Sequence, residues 1–279
     1  METRSLSPKH ADAPMVPIIG MGTSKTLDTD DLALASEVVS AALDAGTTLF
    51  DSSPMYGKAE RMLGAALDGR RSAAVVATKV WTDNDDVAEH QIAASLSFYG
   101  GHIELLQIHN MVRWPQRLRR IEDLRDAGQV ALVGATHWKA ASFDELEAAM
   151  ATGRLDAIQI PYNPREREVE DRLLPLAAEL GLGVLIMRPF AAADLMRTSP
   201  SAAELAPLEL FGIHTWGQAL LQWGLSHPAT TVSIPATSKS SRAKENAAAG
   251  DAMPPHEQLR AAGGHTQATL TQRHSHEPR

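Results

Sequence analysis

Four side chains with complementary acid–base chemistry stand at or just beyond the ends of short apolar runs. They are Asp51 and Tyr56 in Phe50-Asp51-Ser52-Ser53-Pro54-Met55-Tyr56-Gly57, Lys79 in Thr78-Lys79-Val80-Trp81, and His109 in Gln107-Ile108-His109-Asn110. Taken singly, each has a structural explanation: Asp51 as a turn cap, Lys79 as a rim lysine reaching water, Tyr56 as amphipathic packing, His109 as a satisfied core histidine. Together they form a proton-transfer set. A tyrosine of ordinary pKa, about 10, is a poor acid at neutral pH, but an adjacent ammonium stabilises its phenolate, each unit of lowering being worth about 1.4 kcal/mol. Lys79 is expected to supply that field and lower the Tyr56 pKa. Asp51 would hold the lysine by an ion pair, and a neutral His109 would orient a carbonyl oxygen towards Tyr56.

A second cluster lies in Ile234-Pro235-Ala236-Thr237-Ser238-Lys239-Ser240-Ser241-Arg242-Ala243-Lys244-Glu245-Asn246. Hydroxyls and backbone amides at a helix start, with three cations within a turn or two, suit a phosphate. A capped, solvated surface helix has the same composition. The position after a last strand, where barrels commonly bind phosphate, favours the first reading.

The rest of the chain must position these groups. Its 279 residues carry 26 Lys and Arg against 34 Asp and Glu, with no cysteine. That excludes disulfides, thiolate nucleophiles and cysteine-held metals, so a redox role falls to a bound cofactor or a metal held by other ligands. The net acidity argues against nucleic acid and anionic membranes as partners. No apolar run is long enough for a membrane span, and the opening METRSLSPKHADAP lacks the apolar core of a secretory signal, so the expected address is the cytoplasm.

Short β-branched and apolar runs begin at Thr47, Val75, Glu104, Leu132, Ala157, Gly183 and Thr230, with an earlier one near Val16 to Ile19. The first six of those starts recur at the length of one strand-loop-helix-loop unit. Between them run helical stripes such as Ala59, Met62, Leu63, Ala66, Leu67, and a helix is expected over 31–45. Six helical stretches stop at glycine: Gly46, Gly69, Gly100, Gly128, Gly153 and Gly181. Eight strands alternating with helices predict an α/β fold, one (β/α)8 TIM barrel over residues 16–251, with an N-terminal extension over 1–15. A doubly wound open sheet shares the pattern, but it usually carries a GxGxxG fingerprint, which is absent. Residues 252–279 are poor in large apolar side chains and read as a disordered tail; its His274 and His276 have no positioned partners, and no metal site is expected.

The segments around Asp51 and Tyr56, with Glu60, Leu63 and Gly64, then Lys79 and His109, then Ser226-His227-Pro228 through Ile234-Pro235-Ala236-Thr237-Ser238 to Glu245-Asn246, resemble the aldo-keto reductases. The match is ordered and covers about residues 16 to 250. The resemblance implies NADPH-dependent reduction of an aldehyde or ketone, with Tyr56 as general acid, Lys79 and Asp51 tuning it, and His109 orienting the substrate. It places Arg242 and Asn246 on the adenosine 2′-phosphate and adenine, with Lys239 an added cation and Thr237, Ser238 and Glu245 beside them. Thr136 and Gln159 fall where the family contacts the nicotinamide amide, and His137 replaces the usual asparagine. Met187 stands where an aromatic normally stacks on the nicotinamide, within Ile186-Met187-Arg188-Pro189-Phe190; Arg188 is placed towards the pyrophosphate. Gly22 and Thr23 follow the first strand on the cofactor side. The resemblance also implies a monomer.

For the substrate, Trp81, Trp114, Met55 and Phe190 would make an apolar, open mouth that takes a carbonyl compound with an apolar or aromatic body, and Arg113 would meet an anionic group. The alternative is an NADPH-binding regulatory or sensor protein of slow turnover, resembling potassium-channel beta subunits. A phosphate-handling barrel isomerase would share the last-strand site but leave the four-residue set unexplained.

Overall fold

The computed structural model describes residues 1–252; most of the tail expected at 252–279, with His274 and His276, lies outside the described residues. The chain opens with an antiparallel hairpin, β1 (Thr3–Ser5) and β2 (Met15–Pro17). Eight parallel strands follow in sequence order: β3 (Met21–Gly22), β4 (Leu49–Asp51), β5 (Val75–Val80), β6 (Ile103–His109), β7 (Val130–Thr136), β8 (Ala157–Pro161), β9 (Gly183–Met187) and β10 (Val232–Ser233). The two edges meet. The Ser233 N–H donates to the Ile18 carbonyl at 2.9 Å, the Gly20 N–H to Ser233 at 2.8 Å and the Gly22 N–H to Pro235 at 3.0 Å, which brings the last strand round to the first.

Helices cover the outside: α1 (Leu32–Asp44), α2 (Ala59–Ala66), α3 (Asp85–Phe98), α4 (Trp114–Asp126), α5 (Phe143–Met150) and α6 (Leu173–Leu180). The longer connection between β9 and β10 holds α7 (Ala202–Glu209) and α8 (Trp216–Leu225), and α9 (Ser240–Ala248) follows β10. All six glycines at the expected helix stops have φ between 63° and 89°, a left-handed conformation that costs a side-chain-bearing residue about 1 kcal/mol or more. Among the described residues no helix is long and apolar enough to cross a membrane.

The expected first barrel strand at Val16 to Ile19 is corrected by the structure. Val16 belongs to the hairpin, Ile18 and Ile19 are the crossing between hairpin and barrel, and the barrel strand itself is Met21–Gly22. An apolar β-branched run has the same pattern whether helices or a plug bury it. Here the hairpin is the plug. Leu6 and Val16 pack with Leu49, Ala77, Leu105, Leu132, Ala157, Leu185, Val232 and Ile234, mostly one inward residue from each successive strand, as a separate apolar cluster that fills the barrel floor. The outward residues, such as Phe50, Val76, Leu106, Val133, Ile158 and Val184, join the helices in the main core.

Side chains of a strand alternate, so the residues two positions beyond the floor layer also face inward. They are Asp51, Lys79, Gln107, Gly134, Gln159 and Met187. At β4, β5, β6 and β8 the barrel interior therefore changes from apolar to polar in one step towards the carboxyl ends of the strands. Gly134 leaves the space that Gln107 occupies, since a Cβ there would lie 2.8 Å from Gln107 Cγ.

The plug sets a sharp steric condition. A Cβ on Gly183 would lie 1.9 Å from the Leu6 carbonyl oxygen, a backbone atom that cannot swing away. Gly183→Ala is expected to lift the hairpin and lower stability by about 2–3 kcal/mol, read as a lower urea midpoint; an unchanged midpoint would show that the hairpin is not seated on β9.

Candidate active site

The deepest element of the site is an ion pair inside the barrel. Lys79 Nζ donates to both carboxylate oxygens of Asp51 at 2.7 Å and to the Ser52 carbonyl at 2.7 Å. Gln107 Nε2 adds a contact to Asp51 Oδ1 at 3.3 Å. Both charges are out of water, with Lys79 1 % and Asp51 2 % exposed. Burial opposes the ammonium, but the charge of Asp51, then Tyr56 and the bond to Asp51, outweigh it, so the Lys79 pKa stands above its ordinary value.

Tyr56 lies on the turn after β4, its N–H bonded to the Ser53 carbonyl at 2.9 Å, with Lys79 Nζ 5.3 Å from its ring centroid. The expected lowering of its pKa does not occur. Burial raises it and outweighs the opposing field of Lys79, and the charge of Asp51 adds to the rise. The Tyr56 and His109 rings are 6.0 Å apart and nearly perpendicular, at 88°. His109 is lowered to about 3 by burial, then by Lys79 and His137, so its imidazole is neutral at physiological pH, as the sequence reading required. Its Nδ1 lies 3.0 Å from Ser53 Oγ. Tyr56, Lys79, Asp51 and His109 are thus brought together at the carboxyl ends of β4, β5 and β6.

Around this centre the expected cofactor residues divide by geometry. Thr136 closes β7 in register with His109, and Gln159 is buried with Oε1 lacking a hydrogen-bond partner among the described residues. His137 is buried beside them, its Nδ1 accepting the Lys139 N–H at 3.0 Å. At the far end α9 begins without a side-chain cap, leaving its first amides to another acceptor. Beside it Arg242 is exposed and bonded to Glu245 at 2.6 and 2.8 Å, the Lys239 N–H bonds to Thr237 Oγ1 at 3.1 Å, Ser238 is exposed and Asn246 is buried. Met187 is half-buried above the floor layer, Pro189 is buried and Phe190 packs against the α8 region. An uncapped helix start with cations at one end and an unpartnered carboxamide oxygen at the other fit a dinucleotide phosphate and a nicotinamide amide.

Three of the expected side chains, like Arg242, are bonded to other groups of the chain. Thr23 is fully buried and its hydroxyl donates to the Asp51 carbonyl at 3.0 Å and to Ser52 Oγ at 2.9 Å; with Gly22 held against Ile234, it braces the carboxyl end of β4. Arg188 is paired with Glu166 at 3.1 Å and lies over the Trp138 ring at 5.6 Å. Arg113 bonds to the Asp83 carbonyl at 2.9 Å and lies 3.3 Å from Asp85, which engages its cation without any substrate anion. Of the expected mouth, Met55 and Trp81 are exposed, whereas Trp114 is half-buried at the start of α4.

Sequence reasoning left Gln107, Ser53 and Trp138 without roles, and Glu37, whose carboxylate takes the Ser240 hydroxyl at the start of α9. For Gln107 the signal was present: it is two residues before His109 on β6, the spacing that puts strand residues on one face, whereas Ser53 lies beyond the end of β4, where that spacing does not apply.

Comparison with known proteins identifies relatives of the chain and of its fold. The aldo/keto reductase family model matches residues 18–204. The aldo-keto reductase YhdN of Bacillus subtilis is 31 % identical over 194 residues, which is 60 % of this chain and 56 % of that protein, so the match spans little more than half of the relative's length. The methylglyoxal reductase YeaE of Escherichia coli is 26 % identical over 84 % of this chain and 85 % of its own. An aldo-keto reductase from Klebsiella pneumoniae, solved in complex with NADPH, superposes with a TM-score of 0.79 at 23 % identity, covering 93 % of this chain and 94 % of that one, and shares the barrel fold.

The ion pair generates a test of its own. Lys79→Met leaves the Asp51 carboxylate buried without its counterion and is expected to cost about 3–5 kcal/mol. Adding Asp51→Asn to that variant removes the stranded charge and should recover part of the loss in denaturant unfolding. Equal stabilities for the single and double variants would mean that water reaches the pair.

Proposed function

The chain belongs to the aldo/keto reductase family, and from this we propose that it reduces an aldehyde or ketone to the alcohol with NADPH, Tyr56 giving the proton. The observation that carries the reading is the pairing of a protonated phenol with a neutral imidazole, edge to face, above a buried ammonium–carboxylate pair. When bound, the cofactor supplies hydride. The chain's own residues do the rest.

A carbonyl that gains hydride becomes an alkoxide, a far stronger base than a phenolate, so Tyr56 loses its proton downhill even with its pKa raised. A raised value keeps the phenol fully protonated at neutral pH, ready to donate. Lys79 faces the ring at 5.3 Å, and its charge steadies the phenolate left behind. Asp51 fixes that ammonium so that it neither moves nor deprotonates. His109, being neutral, donates a ring N–H to the carbonyl oxygen without competing for the proton that Tyr56 delivers.

Gln159, Thr136 and His137 would hold the nicotinamide amide, with Met187 against its ring. Arg242, Lys239, Thr237 and Ser238 at the start of α9 would hold the adenosine phosphate, with Asn246 and Glu245 at the adenine. Two cations there favour NADPH over NADH. Met55 and Trp81 give the entrance apolar surface, which suits a carbonyl with an apolar or aromatic body. The relative named as a methylglyoxal reductase and the neighbour solved with NADPH support the same reaction class.

Consumption of NADPH with an activated aromatic aldehyde, followed by near-ultraviolet absorbance, tests this reading. Tyr56→Phe is expected to lower kcat by about 10²–10⁴-fold, and Arg242→Ala to raise the KM for NADPH about tenfold while leaving that for NADH unchanged. Full activity of Tyr56→Phe would remove the phenol as proton donor. The pH profile follows from the shifts. Reduction needs Tyr56 protonated, and its raised pKa moves the alkaline fall upwards; His109, at about 3, adds no inflection near the ordinary 6.5. kcat should therefore stay level from about pH 5 to about pH 9.

A further inference from the structure

Ser53 is fully buried, has no part in the steps above, and makes two contacts that converge on the reacting groups. Its Oγ lies 3.0 Å from His109 Nδ1 and accepts the Met55 N–H at 3.1 Å. Its backbone carbonyl accepts the Tyr56 N–H at 2.9 Å. One residue thus holds both the phenol's backbone and the imidazole.

The hydroxyl has one proton to give and two lone pairs. With one lone pair taken by Met55, two arrangements remain: Ser53 donates to a bare Nδ1, or a protonated Nδ1 donates to Ser53. In the second the Ser53 proton is buried with no acceptor bonded to it among the described residues, an arrangement that forfeits a hydrogen bond out of reach of water. A neutral imidazole carries a single N–H, so a bare Nδ1 means a protonated Nε2. Only that tautomer turns a donor, instead of a lone pair, outwards from Ser53, and a carbonyl oxygen can be held only by a donor.

We propose that Ser53 is a positioning residue: its hydroxyl donates to His109 Nδ1, fixes the ring as the Nε2–H tautomer and so aims the N–H that receives the substrate's carbonyl oxygen. The proposal rests on the reductase reading for its consequence in turnover, but not for the bond itself. The Ser53 carbonyl also accepts the Tyr56 N–H, so the same residue is bonded to the imidazole and to the backbone of the acid, whose rings stand 6.0 Å apart at 88°.

The experiment uses the full chain saturated with NADP⁺ and labelled with ¹⁵N at the histidine rings, compared as wild type, Ser53→Ala, Ser53→Thr and His109→Ala, the last identifying the resonances. The expected wild-type spectrum shows His109 protonated at Nε2 and bare at Nδ1. Ser53→Ala should give a mixture of tautomers and a kcat lowered about tenfold, with the KM for NADPH unchanged, while Ser53→Thr, which keeps the hydroxyl, restores both. A wild-type ring protonated at Nδ1, or a Ser53→Ala protein identical to wild type in spectrum and kcat, overturns the proposal. The wild-type spectrum needs no variant, so a Ser53→Ala protein that fails to fold still leaves it open to refutation. A ring protonated at Nε2 in a protein that reduces no carbonyl supports the Ser53 bond and counts against the reductase reading alone.

Discussion

Two opposite charges buried in the polar layer of the barrel constrain everything above them. Taking Lys79 and Asp51 out of water costs several kcal/mol for each ion, and their attraction recovers this only if geometry is tight and the remaining hydrogen-bonding capacity is met. Both conditions hold. Lys79 reaches both carboxylate oxygens, the Ser52 carbonyl takes another N–H, and Gln107 approaches the carboxylate from the next strand. The strands that carry these groups are adjacent and in register, so the pair is positioned by the ladder. Beneath it the hairpin plug, with Leu6 and Val16, keeps water from entering through the floor.

The pair also decides what its neighbours can be. At Tyr56 burial prevails over the ammonium's field, Asp51 adding to the rise, and the phenol keeps its proton. At His109 burial and the ammonium act in the same direction, and the imidazole gives its proton up. A single buried cation thus coexists with a proton-bearing acid and a proton-poor ring a few ångströms apart. This is the division of labour that proton donation to one oxygen requires: one group that transfers and one that only holds.

Much of this was legible in the sequence because strand periodicity is short and rigid. The spacing of apolar runs and the six glycine stops yielded the barrel, and residues at strand ends yielded Asp51, Lys79 and His109. The first strand was misplaced because Val16 is buried by a plug and Ile18–Ile19 by the crossing, and apolar patterning does not record what does the burying. The direction of the Tyr56 shift was missed for a different reason. Proximity of an ammonium can be inferred from neighbouring strand ends, but the balance between its field and desolvation depends on how deeply the ring sits. Likewise Arg113 and Arg188 are cations in the right segments, yet Asp85 and Glu166 are brought to them only by folding.

The contrast between strand-held and loop-held residues locates where this site can vary. The polar layer belongs to β4, β5, β6 and β8, and moving one residue by one position would turn it out of the barrel. The mouth obeys no such rule. Trp81 and Trp138 are exposed on loops, and the segment after β9 holds Arg188, Ala191, Ala192 and Ala193 at positive φ, a conformation that disfavours side-chain-bearing residues by about 1–2 kcal/mol each. That strain persists because the loop is tied at several points: Asn163 Nδ2 donates to the Arg188 carbonyl at 2.9 Å, and the Ala191 and Asp194 N–H groups close successive turns. A loop held in an unfavourable shape by bonds to β8's end and to itself is shaped by its surroundings rather than by its own preferences. Changes in its residues can therefore remodel the rim while the ion pair, the phenol and the imidazole stay where the strands put them.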